Sequence, residues 1–272
     1  MECVIFGAGR RLDAVPPDDR GLAYGDALFE TMRAHRGDVP WWSRHWARLE
    51  TGAARLRMPL PKNARVAEEA GKLLAGRDAV LKLQLTRGQG GRGYAPAPDA
   101  EPLWMLSVHP LPEAPARLDV MSCETRWARQ PLLAGIKHGN RLEQVLARAE
   151  VAAAGADEGL VRDVAGRVTS GTATNLFIHH EGRWHTPELD HAGVAGICRG
   201  WAIEETGAEV RRIRIDEVIA ADAVFLCNSV RGILPIRRLD SHSWPGIHPA
   251  TRALQHRLAA AHPGFAHPAE AP

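Results

Sequence analysis

The chain has 272 residues, of which 45% are hydrophobic and 24% are charged, and its formal net charge is +2 at pH 7. This composition is ordinary for a globular protein, and the length allows one large domain or two smaller ones. Because the net charge is small and no long run of like charge occurs, nothing in the composition supports a nucleic-acid-binding or membrane-surface role. The sequence also lacks a run of about 18 apolar residues, so no membrane-spanning helix is predicted.

The N-terminal residues and the cysteines indicate in which cellular compartment the protein is expected. The first residues, MECVIFGAGRR, contain a short apolar run and then turn polar, which does not match a secretory signal peptide. The cysteines are widely scattered and form no C-x-x-C pair: Cys3, Cys123, Cys198 and Cys227. Such a pattern is typical of reduced, mostly buried thiols, and we therefore expect a cytoplasmic protein.

The first third of the chain mixes strands and helices. CVIFGAG predicts a strand that leads into a turn. SRHWARLETGAARL predicts a helix capped by Ser43, because its apolar residues recur at helical spacing. These residues are Trp46, Leu49, Ala53 and Leu56. AVLKLQLTRG alternates apolar and polar residues, as a half-buried strand does, and LWMLSVHPLP predicts a further strand.

A proline-rich segment, HPLPEAPAR, is the predicted linker between two domains. We therefore predict an N-terminal α+β lobe over residues 1–112 and a C-terminal lobe over residues 117–272. In the second lobe, strands are predicted at LDVMSCETRW, EGLVRD, ATNLFIHHEGRWHTP and AVFLCNS, and a helix at GICRGWAIEETG. Strands and helices do not alternate strictly, which favours an α+β chain in two lobes.

One lysine stands at an unusual place, in the segment AGIKHGNRLEQVLARAE at residues 134–150. Asn140 and Glu143 have the spacing of a capping box, so a helix is predicted to begin there. Its apolar residues at helical spacing are predicted to line one face: Leu142, Val145, Leu146 and Ala149. Lys137 precedes the cap by three residues, where the positive end of the helix favours the neutral amine that attacks an aldehyde.

This segment resembles the surroundings of the cofactor lysine in aminodeoxychorismate lyases. Those enzymes belong to the fold-type IV group of pyridoxal-phosphate enzymes, which also contains the branched-chain and D-amino-acid aminotransferases. The resemblance implies that Lys137, in the C-terminal lobe, holds pyridoxal 5'-phosphate covalently and later moves protons. It further implies a two-domain α+β fold of the D-amino-acid aminotransferase type, with the cofactor in the cleft between the lobes, and a homodimer.

Three further strings resemble the phosphate-binding parts of the same family. RHWARL is similar to the family's R-H-x-x-R-L helix, whose second arginine, here Arg48, would hold the cofactor phosphate through its guanidinium fork. DHAGVAGICRG is similar to the phosphate cup, in which Val194 and Ala195 would donate backbone N–H groups at a helix start. LCNSV is similar to a second phosphate loop, with Asn228 and Ser229 as donors.

Two other strings concern the substrate. RGLAYGDALFET looks like the family's Y-G-D-x-x-F-E stretch near the active site, which implies that Tyr24 contacts the substrate. TRGQGGRGY is similar to a string of the lyases, in which Arg87 and Arg92 would lie in a mobile loop facing two substrate carboxylates. The same string contains a G-x-G-x-x-G at Gly88, Gly90 and Gly93. A dinucleotide site is excluded because the next residues, APAPDAEP, cannot begin the helix that it requires.

The chain departs from the family in RVTSGTATNLF. There the family usually has a glutamate that pairs with the cofactor's pyridine nitrogen, whereas this chain has Ser170. A serine is a poor partner for a charged pyridinium, so the cofactor ring would withdraw electrons less strongly. Elimination needs less withdrawal than transamination, because the leaving group takes the electrons. Ser170 therefore fits a β-eliminating lyase better than a transaminase, and the alternative is that the serine reduces activity.

The activity implied is conversion of 4-amino-4-deoxychorismate to 4-aminobenzoate and pyruvate in folate biosynthesis. One alternative is a D-amino-acid or branched-chain aminotransferase, against which IKHGNRLEQ and Ser170 argue. Another is a non-catalytic relative that binds a partner, against which Lys137, Arg48 and both phosphate loops argue. The histidines do not match a zinc pattern and are predicted to be exposed, without a metal: His179, His180, His185 and His191.

Overall fold

A computed structural model describes residues 2–113 and 115–266 of the chain. Packing divides it into two compact units. The first unit is Met1–Leu111 with Ile136–Asn140, and the second unit is Pro112–Gly135 with Arg141–Pro272. The chain first passes from one unit to the other inside the proline-rich segment. Over the described ranges, no helix combines the length and the apolar character needed to cross a membrane.

Within the described residues, the first unit contains a five-stranded antiparallel sheet in the order β2-β1-β5-β4-β3. Alternate residues of β3 and β4 face the core, in agreement with the alternating pattern of AVLKLQLTRG. The elements are β1 (Glu2–Gly7), β2 (Arg10–Leu12), α1 (Arg20–Tyr24), β3 (Ala27–Ala34), α2 (Trp42–Leu56), α3 (Asn63–Leu74), β4 (Ala79–Thr86) and β5 (Leu103–His109).

Helix α2 presents its predicted apolar stripe to the core of the first unit. Trp46, Leu49 and Ala53 are buried there, and Leu56 packs against the same core. The predicted cap at Ser43 is wrong. The helix begins at Trp42 after Trp41, which turns the chain at φ 61° with its ring buried.

The second unit contains a nine-stranded mixed sheet, counted over the described residues, in the order β11-β10-β9-β12-β13-β6-β7-β8, with β14 beside β13. Strand β6 is parallel to both of its neighbours. The elements are β6 (Leu118–Trp127), α4 (Leu142–Ala153), β7 (Glu158–Asp163), β8 (Val168–Gly171), β9 (Asn175–His180), β10 (Arg183–Pro187), α5 (Ile197–Thr206), β11 (Glu209–Arg211), α6 (Ile215–Ala220), β12 (Ala223–Asn228), β13 (Gly232–Leu239), β14 (His242–Ser243), α7 (Pro249–Ala261) and a 3-10 turn (Pro263–Phe265).

Helix α4 exists where it was predicted, but its cap differs from the prediction. Its N-cap is Arg141, without a side-chain hydrogen bond. The carboxylate of Glu143 accepts instead from the N–H of Ala128, at 2.8 Å. Ala147 and Val151 are the buried residues of the helix, whereas the predicted face is exposed: Leu142, Val145, Leu146 and Ala149.

The segment 136–140, which carries Lys137, packs in the first unit rather than in the C-terminal lobe that the sequence implied. The N–H of Phe29 donates to the Lys137 carbonyl at 3.0 Å, and the N–H of Gly139 donates to the Ala27 carbonyl at 2.7 Å. Ile136 is buried in the same core as α2. The segment thus runs along the beginning of β3, and sequence position alone does not show this pairing.

Candidate active site

Lys137 is held from both ends of its side chain. Its backbone is fixed by the pairing with β3, and its Nζ lies 4.3 Å from the centre of the Phe29 ring. Gly139 lets the two backbones approach closely, because a Cβ there would lie only 3.0 Å from the Gly25 carbonyl oxygen and from the Ala27 Cβ. A half-buried primary amine is therefore presented on a rigid segment, as a nucleophile or general base requires.

Arg48, on α2, is oriented by a buried carboxylate. Its Nε donates to Glu30 Oε1 at 2.8 Å, and its Nη2 donates to Oε2 of the same carboxylate. His45 contacts that carboxylate through Nδ1, at 2.5 Å. Burial lowers the pKa of His45, so the ring is neutral at pH 7 and its Nδ1–H donates. Glu30 and His45 thus fix the guanidinium, a role that the sequence did not reveal although both residues lie in the quoted motifs.

We expect the Glu30 carboxylate to make the protein less stable in acid. Burial alone raises its pKa, but the charge of Arg48 and the hydrogen bond from His45 outweigh burial and lower it from 4.5 to about 2. A pKa lowered on folding stabilises the fold above pH 4.5, and this stabilisation is lost as the pH falls towards 2. The shift corresponds to about 3 kcal/mol at about 1.4 kcal/mol per pKa unit.

Urea unfolding of wild type and Glu30→Gln at pH 7 and pH 3 checks this expectation. The free energy of unfolding of the wild type should fall more between the two pH values than that of the variant. Equal losses in both proteins would contradict the assignment of the acid-sensitive group to Glu30.

The three predicted substrate contacts lie in the first unit, and one of them is placed differently from the prediction. Arg87 is not in a mobile loop: it is 8% exposed and forms two bonds with Asp26, at 2.7 and 3.0 Å. It also donates to the carbonyls of Leu56 and Arg57. These partners take up four of its five N–H groups, so we assign Arg87 a structural role.

Arg92 and Tyr24 remain candidates for substrate contact. Arg92 is exposed in the loop between β4 and β5. Tyr24 is the last residue of α1, and its hydroxyl accepts from the N–H of Gly93 at 3.2 Å. The Tyr24 ring also meets the ring of Tyr94 edge to face, with 5.5 Å between the centroids.

In the second unit, the beginning of α5 is a candidate anion site. The N-cap is Gly196, so the first helical N–H groups are those of Ile197 and Cys198, which have no partner within the helix. A Cβ at Gly196 would lie 2.0 Å from Asn175 Oδ1, so a side chain there would have to displace the asparagine amide. Because Gly196 has no side chain, an anion can come close to these backbone N–H groups. The positive end of the helix also attracts a phosphate.

The predicted donors at this helix need one correction. The N–H of Ala195 donates to the Gly135 carbonyl at 3.1 Å, so it is directed at the protein's own backbone. Val194 forms a parallel bridge with Gly135, and its carbonyl accepts from Asn175 at 2.9 Å. The structure thus corrects the prediction for Ala195, whose N–H is taken up by a residue distant in the chain, while Val194 stays a predicted donor.

The second predicted phosphate loop follows β12. Asn228 mainly shapes the turn, since its Oδ1 accepts from the N–H groups of Val230 and Arg231 at 3.0 and 2.8 Å. Its Nδ2 donates to the Ala173 carbonyl at 3.3 Å. Ser229, at the tip of the turn, is partly exposed. Asn228 therefore builds the loop, which leaves Ser229 as the better candidate for a phosphate donor.

Ser170 is buried on β8, with 5% of its surface exposed. Its Oγ accepts from the indole N–H of Trp127 at 3.0 Å and donates to the Gly171 carbonyl at 2.9 Å. The hydroxyl proton is thus engaged by the backbone, and the side chain can offer a lone pair but no proton to a ligand. Trp127, itself buried, is a second residue of this site that the sequence did not indicate.

The histidines are less exposed than the sequence suggested. His179 and His185 are buried, and His180 and His191 are partly exposed. The His179 ring packs on Trp184, with 4.8 Å between the centroids. His185 Nδ1 accepts from the Nε of Arg211 at 3.1 Å.

Comparisons with known proteins decide the family. Residues 27–239 match the family described as amino-transferase class IV. The chain belongs to this family. It is 35% identical over 235 residues to the aminodeoxychorismate lyase of Vibrio harveyi, covering 82% of this chain and 86% of that protein. The crystal structure of 4-amino-4-deoxychorismate lyase from Pseudomonas aeruginosa superposes with a TM-score of 0.88 at 44% identity, covering 94% of this chain and 98% of that one.

More distant members of the class IV family share the fold. The branched-chain amino acid aminotransferase from Escherichia coli has a TM-score of 0.84 at 23% identity, covering 98% of this chain and 97% of that one. The predicted two-domain α+β fold is therefore confirmed as the fold-type IV fold. Members of this family bind pyridoxal phosphate, and a further aminotransferase structure of this fold contains pyridoxamine 5'-phosphate.

The donor groups of this chain fit pyridoxal phosphate. The first unit supplies a fixed primary amine, Lys137, and a fixed guanidinium, Arg48. The second unit supplies the beginning of α5, where Gly196 keeps the backbone accessible. An amine for the aldehyde, with a cation and backbone N–H groups for the phosphate, is the set that this cofactor requires.

Proposed function

We propose that this class IV protein is a pyridoxal-phosphate-dependent aminodeoxychorismate lyase, which converts 4-amino-4-deoxychorismate to 4-aminobenzoate and pyruvate for folate biosynthesis. The observation that carries the proposal is the 35% and 44% identity to two lyases over most of the chain. The fixed amine of Lys137 supports it chemically.

Each candidate residue has a proposed role. Lys137 holds the cofactor covalently, and Arg48 binds its phosphate. The N–H groups at the beginning of α5 and the hydroxyl of Ser229 add phosphate contacts, and Ser170 faces the pyridine nitrogen. Tyr24 and Arg92 contact the substrate.

When bound, the cofactor draws electrons from the ring carbon that bears the substrate nitrogen. The neutral amine of Lys137 removes the proton from this carbon. The bond from the adjacent carbon to the enolpyruvyl oxygen then breaks, and the ring becomes aromatic. Lys137 returns a proton to the departing three-carbon group, which leaves as pyruvate, so atoms and protons balance without another reactant.

Release of pyruvate from aminodeoxychorismate, followed with lactate dehydrogenase, tests the proposal. Stoichiometric pyruvate and 4-aminobenzoate are expected. An amino-group transfer to 2-oxoglutarate from D-alanine or L-leucine, without pyruvate release from aminodeoxychorismate, would favour the aminotransferase alternative. A protein that takes up no pyridoxal phosphate would favour the non-catalytic relative.

Ser170 provides a prediction about reaction choice. The hydroxyl can accept a hydrogen bond but carries no charge, so it does not hold a protonated pyridine nitrogen as a carboxylate does. Ser170→Glu should raise the rate of side transamination relative to elimination by about tenfold, a change of about 1.4 kcal/mol in relative barriers. Both products are measured in one assay.

Ser170→Ala is the matched control, because it removes the hydroxyl without adding a charge. It leaves the Trp127 N–H without this partner and should cost about 1–3 kcal/mol of stability. It should not raise transamination. An unchanged product ratio in Ser170→Glu would refute this role of the position.

We also propose a homodimer, whose contact includes the exposed apolar face of α4. Leu142, Val145 and Leu146 are 77%, 60% and 60% exposed. Three large apolar side chains on one helix face mark a protein contact more often than a solvated surface. Leu146→Glu should weaken the dimer at least about 30-fold, or about 2 kcal/mol. Sedimentation equilibrium measures this, with Ile219→Glu, at an exposed isoleucine on α6, as the control.

The free cysteines support a cytoplasmic location for this protein. All four are free thiols, and three of them are buried: Cys123, Cys198 and Cys227. Such thiols remain reduced in that compartment.

A further inference from the structure

A buried arginine that has no role in the proposed chemistry holds a long loop of the first unit. Arg20, the first residue of α1, is 4% exposed. Its Nε donates to Asp26 Oδ2 at 3.0 Å. Its two Nη atoms donate to three successive carbonyls, those of Gly93, Tyr94 and Ala95, at 3.1, 2.8 and 3.4 Å.

The loop that Arg20 holds, residues 88–98, is here named the Arg20 loop. At the beginning of the loop, Gly90 lies against the Arg20 side chain, and a Cβ added there would lie 2.7 Å from Arg20 Cδ, so that the arginine side chain would have to move. The Arg20 N–H donates to the Gly88 carbonyl at 2.9 Å. The Arg20 backbone therefore binds the beginning of the loop, and its buried guanidinium binds the middle of this segment, which has no helix or strand of its own.

The Arg20 loop exposes an aromatic ring and a cation next to α1. Tyr94 is 85% exposed, and Arg92 is exposed beside it. The Arg20 Cζ lies 5.0 Å from the centroid of the Tyr24 ring, and this ring also contacts the Tyr94 ring edge to face. An arginine and an exposed tyrosine match a ring that carries carboxylates.

Helix α1 connects this loop to the segment of Lys137 within the first unit. Gly25 caps α1 at φ 65°, and a Cβ there would lie 2.2 Å from Asn140 Oδ1. Gly139, next to Asn140, donates its N–H to Ala27 at 2.7 Å. The same short stretch thus contacts the Arg20 loop on one side and the lysine segment on the other.

We propose that Arg20 is a positioning residue that holds the Arg20 loop in its binding conformation before a cyclic dicarboxylate arrives, so that Arg92 and Tyr94 contact that substrate. The inference rests on the proposed function for the identity of the substrate. A loop ordered in advance loses less conformational entropy on binding, and the benefit appears in substrate affinity rather than in the chemical step.

Hydrogen exchange and kinetics of Arg20→Met test the proposal in the cofactor-loaded protein. Without substrate, amide exchange of peptides spanning residues 88–98 should be at least about tenfold faster than in wild type. KM should rise about tenfold, while kcat changes less than about threefold. The visible absorbance of the bound cofactor should not change. Arg10→Met, at an exposed arginine of β2, is the control and should alter none of these quantities.

Two further variants keep the test decisive if Arg20→Met folds poorly. Arg20→Lys keeps the charge but cannot reach three carbonyls and Asp26 together, so its KM should be intermediate. Gly90→Val displaces the Arg20 side chain from the loop side and should also raise KM. Unchanged exchange or unchanged KM in the folded variants overturns the positioning role. If wild type releases no pyruvate, the proposed function fails, while exchange still reports whether Arg20 orders the loop.

Discussion

Lys137→Ala is expected to reduce pyruvate release at least about 1,000-fold, because in the proposed mechanism its amine holds the cofactor and moves both protons. The variant should still fold, since the contacts that place this segment come from the backbone of Lys137 and Gly139 and from the buried Ile136. It should lose the visible absorbance that borohydride bleaches in wild type. Steady-state kinetics and absorbance spectra of the purified variant measure both effects.

Lys82 offers a matched control for this experiment. Its Nζ lies 5.7 Å from the centre of the same Phe29 ring that Lys137 approaches to 4.3 Å. Lys82→Ala should keep turnover and colour, because Lys82 belongs to β4 and lies outside the segment 136–140 that carries the proposed cofactor lysine.

Peptide mapping completes the test. The chain contains four lysines, at positions 62, 72, 82 and 137, so borohydride reduction followed by mass spectrometry has few possible outcomes. We expect the phosphopyridoxyl mass on the peptide of Lys137. A mass on Lys82, or turnover that survives Lys137→Ala, would refute the assignment of the cofactor lysine.

Elements with strong local patterns were predictable from the sequence. The apolar stripe of α2 and the alternation of apolar and polar residues in β4 predict which side chains face the core. The structure confirms both patterns. Helix α5 ends at Gly207 in a left-handed conformation, as its sequence indicated. Local patterns suffice where the chain's own core covers the apolar face.

The apolar face of α4 shows the limit of such patterns. Periodicity identifies Leu142, Val145 and Leu146 as one face, but it does not tell whether the chain itself covers that face. In the described chain they are exposed, and the small residues Ala147 and Val151 pack inward instead. An apolar stripe that packs against another chain has the same sequence pattern as one that packs against the chain's own core.

The candidate site was predictable in its residue types but not in its contacts. The sequence predicts Arg87 in a loop, whereas in the structure it binds Asp26, which lies 61 residues earlier. The sequence predicts Ala195 as a phosphate donor, whereas in the structure its N–H donates to the Gly135 carbonyl. Both misplacements come from pairings between distant residues, which no local motif encodes.

Arg48→Met is expected to weaken binding of pyridoxal phosphate about 10- to 100-fold, since a charged hydrogen bond contributes about 1.5–3 kcal/mol. The same change also leaves the Glu30 carboxylate buried without its cation, which by itself costs about 3–5 kcal/mol of stability. A single variant therefore mixes lost phosphate binding with lost folding energy.

The double variant Arg48→Met with Glu30→Gln separates the two effects. It removes the buried charge together with its partner, so the free energy of unfolding should recover towards wild type while the cofactor affinity stays low. Cofactor affinity is measured by fluorescence titration of the protein freed of cofactor, and stability by urea unfolding. Arg55→Met, on an exposed turn of the same helix, is the control for loss of a positive charge. Wild-type affinity in the stable double variant would show that Arg48 does not bind the phosphate, because the guanidinium would then serve Glu30 alone.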